Sequence, residues 1–414
     1  MIQDIIPGTE ELLNKERVTG YVGFDPTADS LHIGSLVPII LLIHLQRAGH
    51  RPVALVGGAT GMVGDPTGKS EERNLLDNET LQKNAAGIKA QLEKFLDFGP
   101  ENPNSAIMTN NIDWFGSMGF LEFIRDAGKH ITVNYMMAKD SVRKRLESEN
   151  GMSFTEFTYQ LIQGYDFYHL FRNLDCKLQM GGSDQWGNIV TGTELIRRKT
   201  GKEAFAFTCP LIKKADGNKF GKTESGNVWL DPEKTSPYHF FQFWMNASDP
   251  DSVNWIRIFT FLDEATINTL ISDHKADPSA RILQKKLAEE VTRWVHGDEA
   301  LASALETTRK LFENQNRPVE DLAVEDLENI EGIVSTEYSM NDLSAGVNVV
   351  SLLTDTNIFS SKGEARKMIA NGGVSINRKK IPGSEEIITS EMLLHGKFLL
   401  VQKGKKNYYL VKAV

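Results

Sequence analysis

The sequence predicts an α/β protein built on a doubly wound parallel sheet, followed by an α-helical domain and a small α+β module. Three observations lead there. Buried-strand signals run into glycine-rich loops twice in succession, at Tyr21–Phe24 and Pro52–Val56. A long, charged helical pattern then extends from Asp249 to about Phe312 with no strand signal of comparable strength. The last segment has a different grammar, a short basic helix followed by alternating strands.

The first apolar run leads through DPTADSLHIGS into LVPIILLIHLQRAGH, where Ile39, Ile40, Leu42, Ile43 and Leu45 fit a buried helix. Pro38 is tolerable in the first turn, where the amide has no intrahelical acceptor, and Gly49 suits a left-handed C-terminal cap. The second run enters GGATGMVGDPTGK. Ligands of such sheets bind at the carboxyl ends of the strands. Toward the carboxyl end, Ser361 and Glu364 form a capping-box pattern in SSKGEARKMIANGG, and Ala365, Met368 and Ile369 share a helical face. Val374 and Ile376 then alternate with polar residues, and FLLVQKGKKNYYLV predicts a closing hairpin. The expected boundaries are 1–222, 223–330, a linker at 331–343, and 344–414.

At 414 residues the chain exceeds a single core, and its 40% hydrophobic and 24% charged residues are ordinary for a soluble protein. No apolar run approaches the roughly 20 residues that span a bilayer, which argues against a membrane partner. MIQDIIPGTEELLNKE lacks a basic start and a long apolar stretch, so a cytoplasmic location is expected. Cys176 and Cys209, the two cysteines, are far apart and make neither a disulfide framework nor a CxxC zinc pattern. The net charge of −9 argues against wholesale nucleic-acid coating. From Thr336 onward, however, 11 Lys and Arg face 7 Asp and Glu, which leaves −13 for the rest.

Three loops could carry chemistry. LHIGS follows a strand and opens a helix, where free amides and the dipole favour phosphate, so His32 and Ser35 are candidates. GDPTGKS is shaped like a Walker cradle but places three residues rather than four between its glycines, which weighs against a P-loop kinase. KFGKT puts Lys219, Lys222 and Thr223 on a glycine-containing loop, a set able to grip a polyphosphate while negative charge migrates. Tyr159, Gln163 and Asp166 are spaced by four and three, on one face of a helix. A purely apolar packing face would not carry the amide and the carboxylate.

In this order, HIGS and KFGKT resemble the HIGH-type and KMSKS-type loops of class I aminoacyl-tRNA synthetases. YVGFDPTADSLHIGS, ALVGGATGMVGDPTGKSEER, FTYQLIQGYDF and QMGGSDQWGN narrow the resemblance to the bacterial-type tyrosyl-tRNA synthetases, over nearly the whole chain. The resemblance implies a Rossmann-like catalytic domain that forms tyrosyl-adenylate from tyrosine and ATP with Mg2+, then loads tRNA(Tyr). It implies no tightly bound protein metal and a homodimer through the nucleotide-binding domain. Tyr21 and Asp166 would bind the tyrosine hydroxyl, with Tyr159 and Gln163 in the same pocket, and Asp65 and Gln185 at the ammonium. Asp25, Thr27, His32, Gly34, Asp184 and Lys222 would line the ATP and adenylate site, with Lys69 and Arg73 as further cations near the phosphates. Arg197 and Arg198 are candidates for the tRNA acceptor stem. The tail resembles a small RNA-binding fold shared with a ribosomal protein, so Arg366, Lys367, Arg378, Lys379 and Lys380 would face tRNA phosphates. Ser35 departs from the second histidine of HIGH, and Phe220–Gly221 from the Met-Ser of KMSKS. A binding-only protein that kept the fold without the chemistry is the non-enzymatic alternative.

Overall fold

The computed structural model describes residues 2–67, 76–147, 151–217, 220–223, 226–313, 324, 327, 333–404 and 407–414. The side chains of Lys222, Thr223, Phe312 and Glu313 lie outside that description. The chain forms two compact units, Met1–Asp231 with Arg257–Phe261, and Pro232–Ile256 with Leu262–Val414.

The first unit is organised by a six-stranded sheet of β1 (Asp4–Ile5), β2 (Thr19–Phe24), β3 (Arg51–Val56), β4 (Ile107–Asn110), β5 (Cys176–Gly182) and β6 (Phe205–Cys209). Their spatial order is β1-β6-β5-β2-β3-β4, and all neighbours are parallel except the short edge strand β1. The order reverses at β2, with β3 on one side and β5 on the other, so a crevice opens where their carboxyl ends diverge. β3 reads RPVALV with only its first residue less than buried, as expected for a strand covered on both faces. The helix Leu36–Arg47 buries Leu36, Ile39, Ile40, Leu42, Ile43 and Leu45, and Gly49 follows it with φ 87°.

The helix Phe154–Leu174 precedes β5 and begins with a complete capping box between Ser153 and Glu156. The Arg145 guanidinium pairs with both Glu156 oxygens at 2.8 Å, pinning the helix start within the protein. Farther along, Gly164 meets Gly192 of the helix Trp186–Thr200. A Cβ on Gly192 would stand 3.0 Å from Phe167 Cβ, and one on Gly164 would stand 3.3 Å from the Gly192 amide. The two glycines let the helix backbones approach closely, which turns the Tyr159–Gln163–Asp166 face toward the crevice.

In the second unit the helix Ile282–His296 buries Leu283, Leu287, Ala288 and Val291 on one stripe. Phe240, Phe241 and Trp244 of Pro237–Met245 supply aromatic filling. The carboxyl-terminal module contains β9 (Val334–Tyr338), β11 (Val374–Ile376), β12 (Lys379–Lys380), β14 (Phe398–Lys403) and β15 (Asn407–Ala413), ordered β12-β11-β14-β15-β9. A separate pair joins β10 (Val347–Asn348) to β13 (Ile387–Ile388). The expected hairpin is β14–β15. Residues 334–338, expected within the linker, instead form β9 and pair in parallel with β15.

Ser361 caps the helix Lys362–Ala370 through the Glu364 amide, but the Glu364 carboxylate accepts from the Ser360 amide and hydroxyl and from Lys403. The expected box is therefore half formed. Asn377 (φ 50°) and Arg378 (φ 62°) make a two-residue hairpin turn between β11 and β12. The Asn377 side chain fixes it by accepting from the Leu400 amide at 2.9 Å and donating to the Met392 carbonyl at 2.6 Å.

Candidate active site

A cavity of about 990 Å³ lies at the carboxyl ends of β2, β3 and β5, the place the sheet topology predicts. Tyr21, Asp25, Thr27, His32, Gly34, Ser35, Asp65, Tyr159, Gln163, Asp166, Asp184 and Gln185 all line it. The fold thus gathers every expected tyrosine- and nucleotide-binding residue whose side chain is described. Lys69, Arg73 and Lys219 lie outside the described residues, as do the side chains of Lys222 and Thr223. The main chain of those last two forms β7 (Lys222–Thr223), paired with β8 (Gly226–Asn227).

At the enclosed end, Tyr21 and Asp166 are each 1% exposed. The Asp166 carboxylate accepts from Asn111 Nδ2 at 3.1 Å and from Trp114 Nε1 at 3.0 Å. Burial pushes the Asp166 carboxyl well above the usual carboxylate range, against the pull of those two donors. Burial likewise raises the Tyr21 phenol, and the neighbouring Asp166 charge adds to the effect. The Tyr21 hydroxyl is buried with no hydrogen-bond partner, and so are the Oε1 atoms of Gln163 and Gln179. Buried polar groups rarely stay unpaired, so orphans in the wall of a cavity mark where a ligand bonds.

Asp25 receives Thr60 Oγ1 at 2.7 Å and the Tyr159 hydroxyl at 2.8 Å on its two oxygens. Asn111 ties these groups together. Its Nδ2 donates to Thr60 Oγ1 at 3.1 Å as well as to Asp166, while its Oδ1 accepts from the Ala59 amide at 2.6 Å. Tyr159 is a phenol raised far above its ordinary value, by burial first and then by Asp25. On the opposite wall, Gln185 Nε2 donates to Asp65 at 2.7 Å, and Asp65 also accepts from the Thr67 amide at 2.9 Å. Burial raises the Asp184 carboxyl, opposed by its bond from Gln185.

At the mouth, His32 Nδ1 accepts from the Gly34 amide at 2.9 Å, which caps the turn Ile33–Ser35. With Nδ1 accepting, a neutral ring carries its proton on Nε2, the atom then able to donate to an oxyanion. Ser35 is half-buried and makes no side-chain cap. The two signature loops are joined by main chain. Ile33 donates to Val228 at 3.0 Å, Leu230 to Leu31 at 2.8 Å, and Val228 to Gly221 at 3.2 Å. Gly221 has φ 85°, and a Cβ there would come 3.2 Å from Ile33 Cγ1. That close approach in the left-handed region explains glycine at this place in KFGKT.

The expected tRNA-facing residues lie elsewhere. Both guanidiniums of Arg197 and Arg198 are engaged by Glu194, and Arg198 also donates to the His130 carbonyl. Arg366, Lys367, Lys379 and Lys380 are exposed. Arg378, the second residue of the Asn377–Arg378 turn, is only half-exposed and donates to the Lys310 carbonyl at 3.3 Å. Sequence reading missed Thr60, Asn111, Trp114 and Gln179. One signal was available: Asn110, Asn111 and Trp114 stand at or just past the carboxyl end of β4, where ligand-facing residues collect.

Residues 13–313 match the family described as tRNA synthetases class I (W and Y), and residues 328–411 match the tyrosine–tRNA ligase SYY-like C-terminal domain. A tyrosine–tRNA ligase of Bacteroides fragilis is 59% identical over 100% of this chain and 97% of its own length. One from Flavobacterium johnsoniae is 56% identical over 100% and 97%. Among solved structures, a C-terminally truncated Aspergillus nidulans mitochondrial tyrosyl-tRNA synthetase superposes with a TM-score of 0.66 at 32% identity, covering 75% of this chain and 91% of that one. With both family matches and full-length relatives at this identity, the chain belongs to the class I tRNA synthetases and, within them, to the tyrosine–tRNA ligases.

Proposed function

We propose that the cavity is where this tyrosine–tRNA ligase joins tyrosine to ATP, with Tyr21 and Asp166 selecting the substrate by its phenolic hydroxyl. The observation that carries this reading is the buried, unpartnered Tyr21 hydroxyl beside a carboxylate held by Asn111 and Trp114. Phenylalanine would leave the Tyr21 hydroxyl without a partner in a desolvated end and offer nothing to the Asp166 carboxylate beyond the two donors it already has, a cost that tyrosine removes. Asp65 and Gln185, with Tyr159 and Gln163, would receive the substrate ammonium.

Activation is attack by the tyrosine carboxylate on the α-phosphorus of ATP, with the bond to pyrophosphate breaking, so no protein nucleophile is needed. Positioning and charge stabilisation perform the catalysis. His32 Nε2 donates to the phosphates from the mouth, with Gly34 and Ser35 at the same turn, while Asp25, Thr27 and Asp184 flank the adenylate. Lys219, Lys222 and Thr223 hold the leaving pyrophosphate, aided by Lys69 and Arg73. Magnesium enters as the counter-ion of ATP, whose phosphates it prefers as ligands, and shares their charge. Among the described residues no group of three or more His, Cys, Asp or Glu is arranged to hold a metal.

The same reading assigns catalysis to the first unit, which runs to Asp231 rather than 222, and helical and RNA-binding roles to the second, whose RNA-binding module starts with β9 at Val334 rather than at 344. Arg197, Arg198 and the basic residues of the module contact tRNA phosphates. No described helix is long and apolar enough to cross a membrane, and a cytoplasmic site of action fits protein synthesis. A homodimer is supported by exposed apolar side chains concentrated in one stretch of the first unit, among them Phe120, Leu121, Val133, Met137 and Phe154. Tyrosine-dependent exchange of labelled pyrophosphate into ATP tests the proposal. Folded protein that binds tRNA yet exchanges nothing would favour the binding-only alternative.

A further inference from the structure

The charged side chains lining the cavity, among the described residues, are the carboxylates of Asp25, Asp65, Asp166 and Asp184 and a single ammonium, that of Lys213. Neither HIGS nor KFGKT contains this lysine, and it has no assigned role in the reading above. We infer that Lys213 is a phosphate-binding residue of the activation step, which rests on the cavity being the ATP site.

Its position follows from the chain's path. β6 ends at Cys209, and Cys209, Pro210, Leu211, Ile212 and Lys213 all lie in the cavity wall. Leu211 sits over the end of β5: a Cβ on Gly182 would meet its Cδ2 at 3.3 Å and Asp184 Oδ1 at 2.6 Å. Immediately after Lys213 the chain turns, with the Gly217 amide donating to the Lys214 carbonyl at 2.9 Å, and it returns through Phe220 and Gly221 against the HIGS turn. Lys213 therefore stands at the base of the KFGKT loop.

Loop lysines are usually just solvated. Two facts bear on this one. It is exposed and its ammonium makes no hydrogen bond or ion pair among the described residues, which is ordinary for a surface lysine, but this one lies in the cavity wall and is therefore available to a ligand there. Its cavity also holds four acidic residues, which a triphosphate approaches only if cations offset them. An ammonium with three donors and no protein partner suits phosphate oxygens. It would strengthen its hold as charge passes to pyrophosphate, donating hydrogen bonds without giving up a proton.

The test is steady-state exchange with wild type, Lys213→Met and Lys213→Arg, varying ATP, tyrosine and pyrophosphate separately. Loss of one charge-assisted bond of about 1.4 kcal/mol predicts that Lys213→Met raises the KM for ATP, and for pyrophosphate in the reverse direction, about tenfold. Tyrosine KM and melting temperature stay at wild-type values, and Lys213→Arg restores most of the loss. Wild-type constants for ATP and pyrophosphate in Lys213→Met would overturn the inference while wild-type exchange leaves the active-site reading standing. A defect confined to transfer onto tRNA would overturn it too, by moving Lys213 to the acceptor end. Absence of exchange in the wild type would instead defeat the underlying reading.

Discussion

Replacing Tyr21 by phenylalanine separates two effects that a merely structural tyrosine would not separate. The ring is 1% exposed and packs against Phe167 with centroids 5.4 Å apart, so phenylalanine keeps the shape and the contact. In the free protein the substitution deletes a buried hydroxyl with no partner, a group whose desolvation costs about 1–3 kcal/mol. The variant should therefore be at least as stable as wild type, with a gain of about 2–4 °C in Tm for each kcal/mol recovered in a unit of this size. In the complex, tyrosine loses one neutral hydrogen bond of about 1 kcal/mol net, or about fivefold in kcat/KM. Phenylalanine loses nothing, since it never satisfied that hydroxyl. Pyrophosphate exchange with each amino acid, beside a thermal melt, gives both numbers. A Tyr21→Phe variant that melts lower and keeps the wild-type preference for tyrosine would refute the assignment of this hydroxyl to the substrate.

His32→Ala removes both the Gly34 cap and the Nε2 donor, and a preorganised donor of this kind is worth roughly a hundredfold in rate. Activation should slow accordingly at unchanged tyrosine KM, and undiminished exchange would count against the assignment. Ser35→His should stay within about threefold of wild type, because the half-buried serine caps nothing and faces the same cavity. Phe154→Asp, at a side chain 66% exposed, should convert a dimer to monomer in light scattering, with an unaltered circular dichroism spectrum; an unchanged mass would remove the apolar stretch from the interface. Hydrogen bonds from Arg197, then Arg198, hold the Glu194 carboxyl down to about 2. A depressed carboxyl stabilises the fold fully above its unfolded value and loses that contribution as pH falls toward about 2, so Glu194→Gln should flatten the acid limb of the stability profile. The two arginines themselves are tested by the Arg197→Ala, Arg198→Ala double variant: the log–log salt slope of tRNA binding should become shallower by about 0.7–0.9 per lost phosphate contact, and an unchanged slope would exclude them.

Elements with a local signature could be read from sequence. β2, β3, the Leu36–Arg47 helix and the β14–β15 hairpin each carry their periodicity and their terminating glycine within a dozen or so residues. β1 and β9 could not be read this way. β1 is two residues long, and β9 follows an acidic stretch and pairs with Asn407–Ala413, more than sixty residues away. The Asn377–Arg378 turn hid within a run of basic residues, since its second position holds arginine where glycine is usual. What secures it is the bonding of Asn377 to Met392 and Leu400, which no local pattern reveals.

The site divides along the same line. HIGS and the Tyr159–Gln163–Asp166 face were legible because each is one turn or one helix face. Asn111 was not, because its importance lies in joining three segments. One amide hydrogen goes to Thr60, which holds Asp25, and the other goes to Asp166, while its oxygen fixes the Ala59 amide after β3. An asparagine has two hydrogens on one nitrogen at a fixed angle. The placement of Asp25 and that of Asp166 are thus set by one rigid group, itself 0% exposed and without room to tilt. On the proposed reading, the residues that would select the phenol and those that would face the adenylate form a single template for this reason. A protein in which either carboxylate shifted would misplace the other, so on that reading selectivity for tyrosine and the geometry of attack on ATP would depend on the same buried amide.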